Sequence, residues 1–555
     1  MSNAQARNNM RHVSINRHAT TNFNLYFYIM QTEWLKFKKY PHIGKPLTIS
    51  KDRRWIEVYV TNPQKIASHK FTPLLHRVLT QRKFRAEENA ERNLSGKRHR
   101  KYKGRKERHI YYPSHLDSII YSYYNSIVTQ AYEKYLSNKA YASVAVAYRK
   151  IPKNDVGYNG NKCNIEFAAD AFQFITNNKH RKLSVIVADV SSFFDNLNHR
   201  FLHKQWKKIL DVENLPVDHY KIFKSLVDYK YVNENELFNR FKHELIVERY
   251  KPNDIHCTEL KRKYVSKINN IRRENVVAYC YAEDFYQKAT DLIRVDKPFN
   301  PATRTEQGKS NKKGIPQGTP ISATLANVYM LDFDARIYDE VSKPSKNAYY
   351  QRYSDDLIII CDQEDEKFFY DLIRSEIEDK AHLEIQESKT HIYRYELGLD
   401  NTLSGGIKKD NVIQPNKQLE YLGFVFDGHK VRVKTAGFSK FYRNMKRSFR
   451  RGVHFAKQAH IPSNSLFEWR LYKIYTHLGA KRRLKWVEDS NSPTGYKRTK
   501  TYDWGNFISY LNKANATMKE INQDDNISKQ ARKIWSKFHS LKKSAYKEIG
   551  MHNNK

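Results

Sequence analysis

The stretch YQRYSDDLII (350–359) puts two adjacent aspartates, Asp355 and Asp356, directly against an apolar run. The segments on either side read as strands, and a run of this kind has to be buried. Carboxylates are rarely buried without a partner, and two neighbouring ones repel. A chain can meet both demands in two ways. It can turn at the aspartates, where Asp is a common hairpin residue. It can also bring a divalent cation to them, which offsets the repulsion. The local residues leave both readings open.

A second carboxylate stands in a similar place. LSVIVADVSSFFDNLNH (183–199) opens with a β-branched apolar run, the mark of a strand buried on both faces, and Asp189 lies at its end. The chain then turns into a helix near Asp195 and Asn196, both good N-cap types. Asp189 itself reads as a cap, a turn residue or a ligand. Asp195 reads as structural.

These acids belong to a chain of opposite charge. Lys plus Arg number 99 against 59 Asp plus Glu, a formal net charge of +40. Such an excess points to a polyanion, nucleic acid first and an anionic membrane second. Aromatic residues make up 13%, including 39 Tyr, and offer stacking platforms for bases. With 40% hydrophobic residues the chain has material for cores that a packaging factor lacks, and 555 residues imply two to four domains or subdomains. The four cysteines (Cys163, Cys257, Cys280, Cys361) lie far apart, which argues against a zinc module or a disulfide framework and suits a reducing cytoplasm. With no apolar N-terminal segment and no run of about 20 apolar residues, neither a secretory signal nor a membrane span is expected.

The basic residues cluster. Segment 97–108, KRHRKYKGRKER, holds eight in twelve and reads as a loop, either solvated or contacting phosphates; segment 440–451 holds six in twelve with no acid. Residues 23–60 look folded, the segment after Pro113 reads as a Tyr-rich helix, and a loop is expected near 155–163. Residues 200–300 read as alternating helix-like basic segments, and the chain beyond 440 as helical. GIPQGTPISATLANVYMLDFD (314–334) reads as a Gly loop followed by a helix kept shallow on one face by Ala323 and Ala326. Standing alone it is an ordinary loop before an amphipathic helix, or a place where a polyanion or base can come close.

Taken in order, ADVSSFFD, GIPQGTPIS, YSDD, HLEIQESKTHIY and LEYLGFVF resemble the A, B, C, D and E motifs of reverse transcriptases, over roughly 183–426. AVAYRK upstream resembles the fingers motif. The resemblance implies an α+β right-hand polymerase: an N-terminal extension and fingers over 1–180, a palm with an antiparallel sheet over 181–426 carrying a helical insertion at about 200–300, and a helical thumb over 427–555. It implies that Asp189 and Asp355 hold two Mg²⁺ ions with Asp356 as auxiliary carboxylate. It makes Phe194 the steric gate against a ribose 2′-hydroxyl, and Gln317 and Gly318 the lining of the nucleotide and template pocket. Lys389 becomes a candidate general acid at the leaving pyrophosphate, or a solvated lysine. Tyr421, Leu422, Gly423 and Phe424 become the primer grip, Arg149 a triphosphate contact and Lys150 a weaker one.

Departures narrow the family. Ser354 stands where group II intron enzymes typically have Ala, the Val-Thr-Gly thumb signature of retron enzymes is absent, and the Pro-Gln-Gly core that diversity-generating enzymes replace is intact. Tyr148-Arg149 and the Ser-Asp-Asp box look most like the bacterial abortive-infection and unknown-group enzymes, many of them defence-associated. The resemblance thus implies a cytoplasmic bacterial enzyme using dNTPs, an RNA template and a DNA product. A dedicated non-coding RNA, a companion defence protein and self-association stay open. A retron or group II intron-type enzyme is the alternative within the family. A viral RNA-dependent RNA polymerase shares the palm, but Phe194 and the Leu-Gly-Phe grip favour DNA synthesis. A silent nucleic-acid-binding descendant would have lost an acid, and all three are present.

Overall fold

The computed structural model describes residues 34–86, 100–153, 160–251, 254–295, 313–409, 412–415, 417–458, 466–480, 484–488, 496–502, 505–522 and 525–553. Along the chain the first strands are β1 (His42–Ile43), β2 (Leu74–Ala86), β3 (Arg100–Tyr112), β4 (Leu183–Asp189), β5 (Tyr231–Asn233) and β6 (Leu245–Lys251). Next come β7 (Asp254–Lys263), β8 (Val276–Cys280), β9 (Tyr349–Tyr353), β10 (Asp356–Asp362), β11 (His391–Leu397) and β12 (Leu403–Lys409). The last are β13 (Val412–Gln414), β14 (Leu419–Tyr421), β15 (Phe424–Phe426), β16 (Val431–Val433), β17 (Leu484–Glu488) and β18 (Tyr496–Tyr502). The chain divides into two compact units. One gathers Met1–Ala142, Val190–Ala335 and Glu376–Glu384; the other gathers Ser143–Asp189, Arg336–Ser375 and Ile385–Lys555.

The second unit is built on a six-stranded sheet in the order β13-β12-β11-β4-β10-β9, antiparallel throughout. β4 and β10 lie inside it. Their apolar runs are buried as the sequence requires, Leu183, Val185, Ile358 and Ile360 all being inaccessible to solvent. Glu366 ties the sheet together by accepting from Arg394, Lys408 and the Ser184 hydroxyl. Burial alone would raise its pKa, yet these donors hold the carboxyl down at about 2.

The same core continues into the helices Asn164–Asn177, Thr435–Gln458, Phe507–Asn522 and Lys533–Asn553. Phe441, Met445, Phe449 and Val453 recur at every fourth position of Thr435–Gln458 and form its buried stripe. Lys440, Arg443, Lys446, Arg447, Arg450 and Arg451 fall on its exposed side, so the 440–451 cluster is the solvent face of an amphipathic helix. The thumb expectation of helix alone is modified by the hairpin β17–β18.

The first unit holds a four-stranded sheet, β1-β8-β6-β7, and a three-stranded one, β3-β2-β5. Here the reading of 200–300 as a helical insertion is corrected. Helices are present, but so are β5 to β8, with Leu245, Ile246, Val247, Ala278 and Tyr279 buried in the sheet. The scarcity of Gly and Pro was compatible with either structure, while LIVERY and VVAYC carry the β-branched and aromatic content of strands. The segment 97–108 is likewise corrected from loop to strand. Residues 97–99 lie outside the described residues, and the remainder forms part of β3 in a long antiparallel hairpin with β2.

Smaller differences have local causes. The helix His199–Leu210 is capped by Asn198, which accepts from the Phe201 N–H; Asp195 and Asn196 instead sit in the short helix Phe193–Asn196. The helix after Pro113 is His115–Leu136, capped by Ser114. Of the loop expected near 155–163, and of the folded segment 23–60, residues 155–159 and 23–33 lie outside the described residues. The compact units cut across the boundaries expected at 180 and 426. Among the described residues no helix is long and apolar enough to cross a membrane.

Candidate active site

β9 and β10 are joined by a turn of two residues, Ser354 and Asp355, with Tyr353 paired to Asp356 across it. The hairpin reading of the paired aspartates therefore describes the backbone. Ser354 adopts φ 63°, a conformation costly for a residue with a side chain. Arg352 holds it there. Its guanidinium, fully buried, donates to the Ser354 carbonyl at 3.0 Å. Its backbone N–H donates to Val144 and its carbonyl accepts from Val146, fixing the strand from one side.

The register of β10 on β4 then sets the acids. Asp356 is the direct cross-strand partner of Asp189, the two ending their strands side by side. Asp355 is half-buried in the turn beside them. Burial first, then the negative charges of Asp355 and Asp189, push the Asp356 carboxyl up to about 6, while Lys389 and Lys434 pull the other way. Lys389 reaches this site from the turn Glu387–Lys389, where its ammonium donates to both Asp189 oxygens at 2.8 and 3.1 Å. The Gln386 N–H, donating to the Asp189 carbonyl at 2.8 Å, ties that turn to the end of β4.

A cleft of about 560 Å³ opens here, lined by Asp189, Asp356 and Lys389 together with Asn164, Tyr353, His391, Glu420, Leu422, Gly423 and Lys434. Leu422 and Gly423 form the turn between β14 and β15, with φ 44° and 92°. A two-residue turn with both φ positive matches the twist of its strands, and Gly423 takes the second position without strain. Asn164 donates to the Leu422 carbonyl at 3.1 Å, and the Lys434 N–H donates to Gly423 at 2.9 Å. Of the four expected grip residues, only Leu422 and Gly423 line the cleft. Tyr421 and Phe424 are buried beneath it, and the Tyr421 hydroxyl donates to Gln351 at 2.9 Å. Arg149, in the same unit, folds back to donate to the Ala145 carbonyl, with exposed Lys150 next to it.

The remaining expected residues belong to the first unit, where the structure brings them together. The Ile315 N–H donates to the Phe194 carbonyl at 2.9 Å and the Gly314 N–H to Leu197 at 2.7 Å, so the Gly-Ile-Pro-Gln-Gly loop packs on the Phe194 turn. The Gln317 carbonyl accepts from the Tyr111 N–H at 2.8 Å. Gly318, at φ 123°, lies so close to the Tyr111 carbonyl that a Cβ would stand 2.6 Å from its oxygen. No other residue type fits there. The helix Ser322–Tyr329 follows, as read, and the Ser322 hydroxyl donates to the Pro316 carbonyl.

Sequence reasoning missed Arg352, Asn164, Glu420 and Lys434. Arg352 reads in sequence as part of a basic approach to the aspartates, and nothing local marks it as buried. Lys434, ion-paired to Glu420, is visible only once the β14–β16 sheet brings it to the cleft.

The donor set suits hard divalent cations. Two carboxylates face each other and a third is adjacent, with Asp356 raised by burial and by its neighbours' charge, so the site is short of positive charge. No group of three or more His, Cys, Asp or Glu converges on one point among the described residues.

The family model for reverse transcriptase (RNA-dependent DNA polymerase) matches residues 264–426, which include the Gly loop, the paired aspartates, Lys389 and the β14–β15 turn. Asp189 lies upstream of that match and is joined to it by the β4–β10 pairing. The chain therefore carries a reverse transcriptase domain on an α+β polymerase fold. No curated protein matches the sequence. Among solved structures it is similar to telomerase from Candida albicans in complex with a TWJ fragment of telomeric RNA, at 12% identity and TM-score 0.33, over 88% of this chain and 65% of that one. It is also similar to apo telomerase from Candida tropicalis, at 14% identity and TM-score 0.33, over 69% and 52% of the two chains. The chain thus spans less than two thirds of either, and likenesses this weak carry no argument about what it does.

Proposed function

We propose that the protein is an RNA-directed DNA polymerase that makes cDNA by two-metal nucleotidyl transfer. The observation that carries this is the pairing of Asp356 with Asp189 on adjacent strands, in a cleft that also holds Lys389 and the Leu422–Gly423 turn. The three carboxylates would hold two divalent cations, which when bound activate the primer 3′-hydroxyl and neutralise charge on the leaving pyrophosphate. The rest falls to the chain's own groups. Arg352 fixes the acidic turn, and the Leu422–Gly423 turn supports the primer end. Lys389, with its ammonium on Asp189, is positioned to hold a proton for the leaving group. Phe194, fixed against the Ile315 N–H, is assigned the exclusion of a ribose 2′-hydroxyl.

A bacterial, cytoplasmic setting in antiphage defence is the finer part of the proposal. It is supported by the Ser354-Asp355-Asp356 box and by Tyr148-Arg149. The test is extension of a DNA primer on an RNA template with dNTPs or rNTPs. Incorporation of dNTPs alone by the wild type, with rNTPs admitted by Phe194→Val, is expected. Preferred use of rNTPs by the wild type would overturn it in favour of an RNA polymerase.

A further inference from the structure

The first unit contains a second pocket, of about 320 Å³, that shares no residue with the carboxylate cleft. One wall is Phe71, half-buried, whose ring stacks on the buried Tyr121 at 5.3 Å and 21°. The polar groups inside are already satisfied. The Tyr121 hydroxyl donates to Ser225, which donates in turn to the Ile222 carbonyl, and the Thr72 N–H donates to Asp117. The charged groups are cationic almost throughout. Lys224 pairs with Asp228 at 2.6 Å, which leaves Lys70, Lys221 and Lys230 with no acidic partner among the described residues.

Flat apolar walls with unpaired ammonium groups match a ligand with a planar ring and an anionic tail. A pocket of this volume is at the small end for ligand sites and has room for one nucleotide. A basic surface belongs to the same unit. Leu74 lines the pocket and is the first residue of β2, whose hairpin with β3 exposes Lys101, Arg105, Lys106 and Arg108. We infer that this pocket takes an unpaired nucleotide of a bound RNA strand, its base stacked against Phe71 and its phosphates met by Lys70, Lys221 and Lys230. The inference rests on the RNA-handling half of the proposed function. Stacking on an aromatic ring with lysines along the backbone is how single strands are held without sequence readout.

The test is fluorescence anisotropy with a labelled single-stranded RNA decamer, using full-length wild type, the double variant Lys221→Gln/Lys230→Gln, and Phe71→Leu. Thermal melting verifies that each variant is folded. The double variant is expected to bind the strand about tenfold more weakly, with the slope of log affinity against log salt reduced by about 1.4. Phe71→Leu is expected to lose about tenfold with an unchanged salt slope. Affinities equal to wild type in both folded variants would overturn the site. UMP that binds the wild type and not Phe71→Leu, while both bind the decamer equally, would overturn the RNA assignment in favour of a free mononucleotide. Primer extension by the wild type, measured on the same preparation, reports separately on the polymerase reading. Weakened RNA binding by the variants with an inert wild type would leave the pocket standing and that reading fallen.

Discussion

Two hairpins of this molecule solve opposite electrostatic problems. β9–β10 is short, buried and flanked on one side by β4, and it carries its acids at the turn and the strand start. β2–β3 is long, and beyond its buried base it presents basic side chains to solvent. In the first, every backbone and side-chain constraint converges on two or three carboxylates, and Arg352 is enclosed to keep one carbonyl in place. In the second, cations are repeated where water screens them and no single one matters. Rigid burial suits chemistry at fixed atoms. Solvated repetition suits a grip on a polymer backbone.

Breaking the first hairpin at its acids should have the largest effect. Asp189→Ala or Asp356→Ala is expected to lower primer extension on the order of a thousandfold or more, with the fold intact by circular dichroism. Extension at wild-type rate by either would remove the acids from the chemistry. Next is Arg352→Met, which deprives the Ser354 carbonyl of its donor inside the core. A loss of about 3 kcal/mol in chemical denaturation is expected, with reduced extension.

The pH dependence sharpens the contrast further. In the metal-free protein Asp356 titrates near 6, above its ordinary 3.8, so the folded state binds more protons than the unfolded state between those values. Stability from this group is therefore greatest below pH 4 and falls as pH rises to 6, by up to about 3 kcal/mol. Asp356→Asn should flatten that decline and melt above the wild type at pH 7; an equal decline in both would deny that burial and the neighbouring carboxylates raise this group. Mg²⁺ should raise the melting temperature of the wild type at pH 7 more than that of Asp356→Asn.

Neutralising the second hairpin should barely register in stability. Lys101, Arg105, Lys106 and Arg108 changed together to Gln are expected to shift stability by no more than about 0.5 kcal/mol, and to reduce the salt slope of RNA binding by about 3. Smallest of all is Ser354→Ala. The Ser354 hydroxyl is buried with no hydrogen-bond partner among the described residues, so its removal should be neutral or stabilising by a few tenths of a kcal/mol, about 0.3.

What the sequence made legible follows the same division. The apolar runs 183–188 and 357–361 announce buried strands, and acids at their ends have few places to go. The α+β polymerase class follows from the resemblance that the ordered motifs carry. Register was not legible. Nothing in either segment specifies that Asp356 sits opposite Asp189, because pairing between strands far apart in the chain depends on everything packed around them. Arginine is seldom fully buried, so nothing local marks Arg352 as enclosed; its bond to the Ser354 carbonyl appears only in the fold. A helix-like reading misses the strands at 245–263 because a lack of Gly and Pro suits either structure, and only periodicity distinguishes the two.

The most direct test is steady-state primer extension on an RNA template by three proteins: the wild type, Asp356→Asn and the β3 variant with Lys101, Arg105, Lys106 and Arg108 neutralised. A division of labour between the hairpins predicts that Asp356→Asn binds the template as tightly as the wild type and scarcely turns over. It predicts that the β3 variant shows a raised KM for template, with kcat preserved at saturation. Near wild-type turnover by Asp356→Asn, or a β3 variant that loses kcat while its KM stays unchanged, would contradict it.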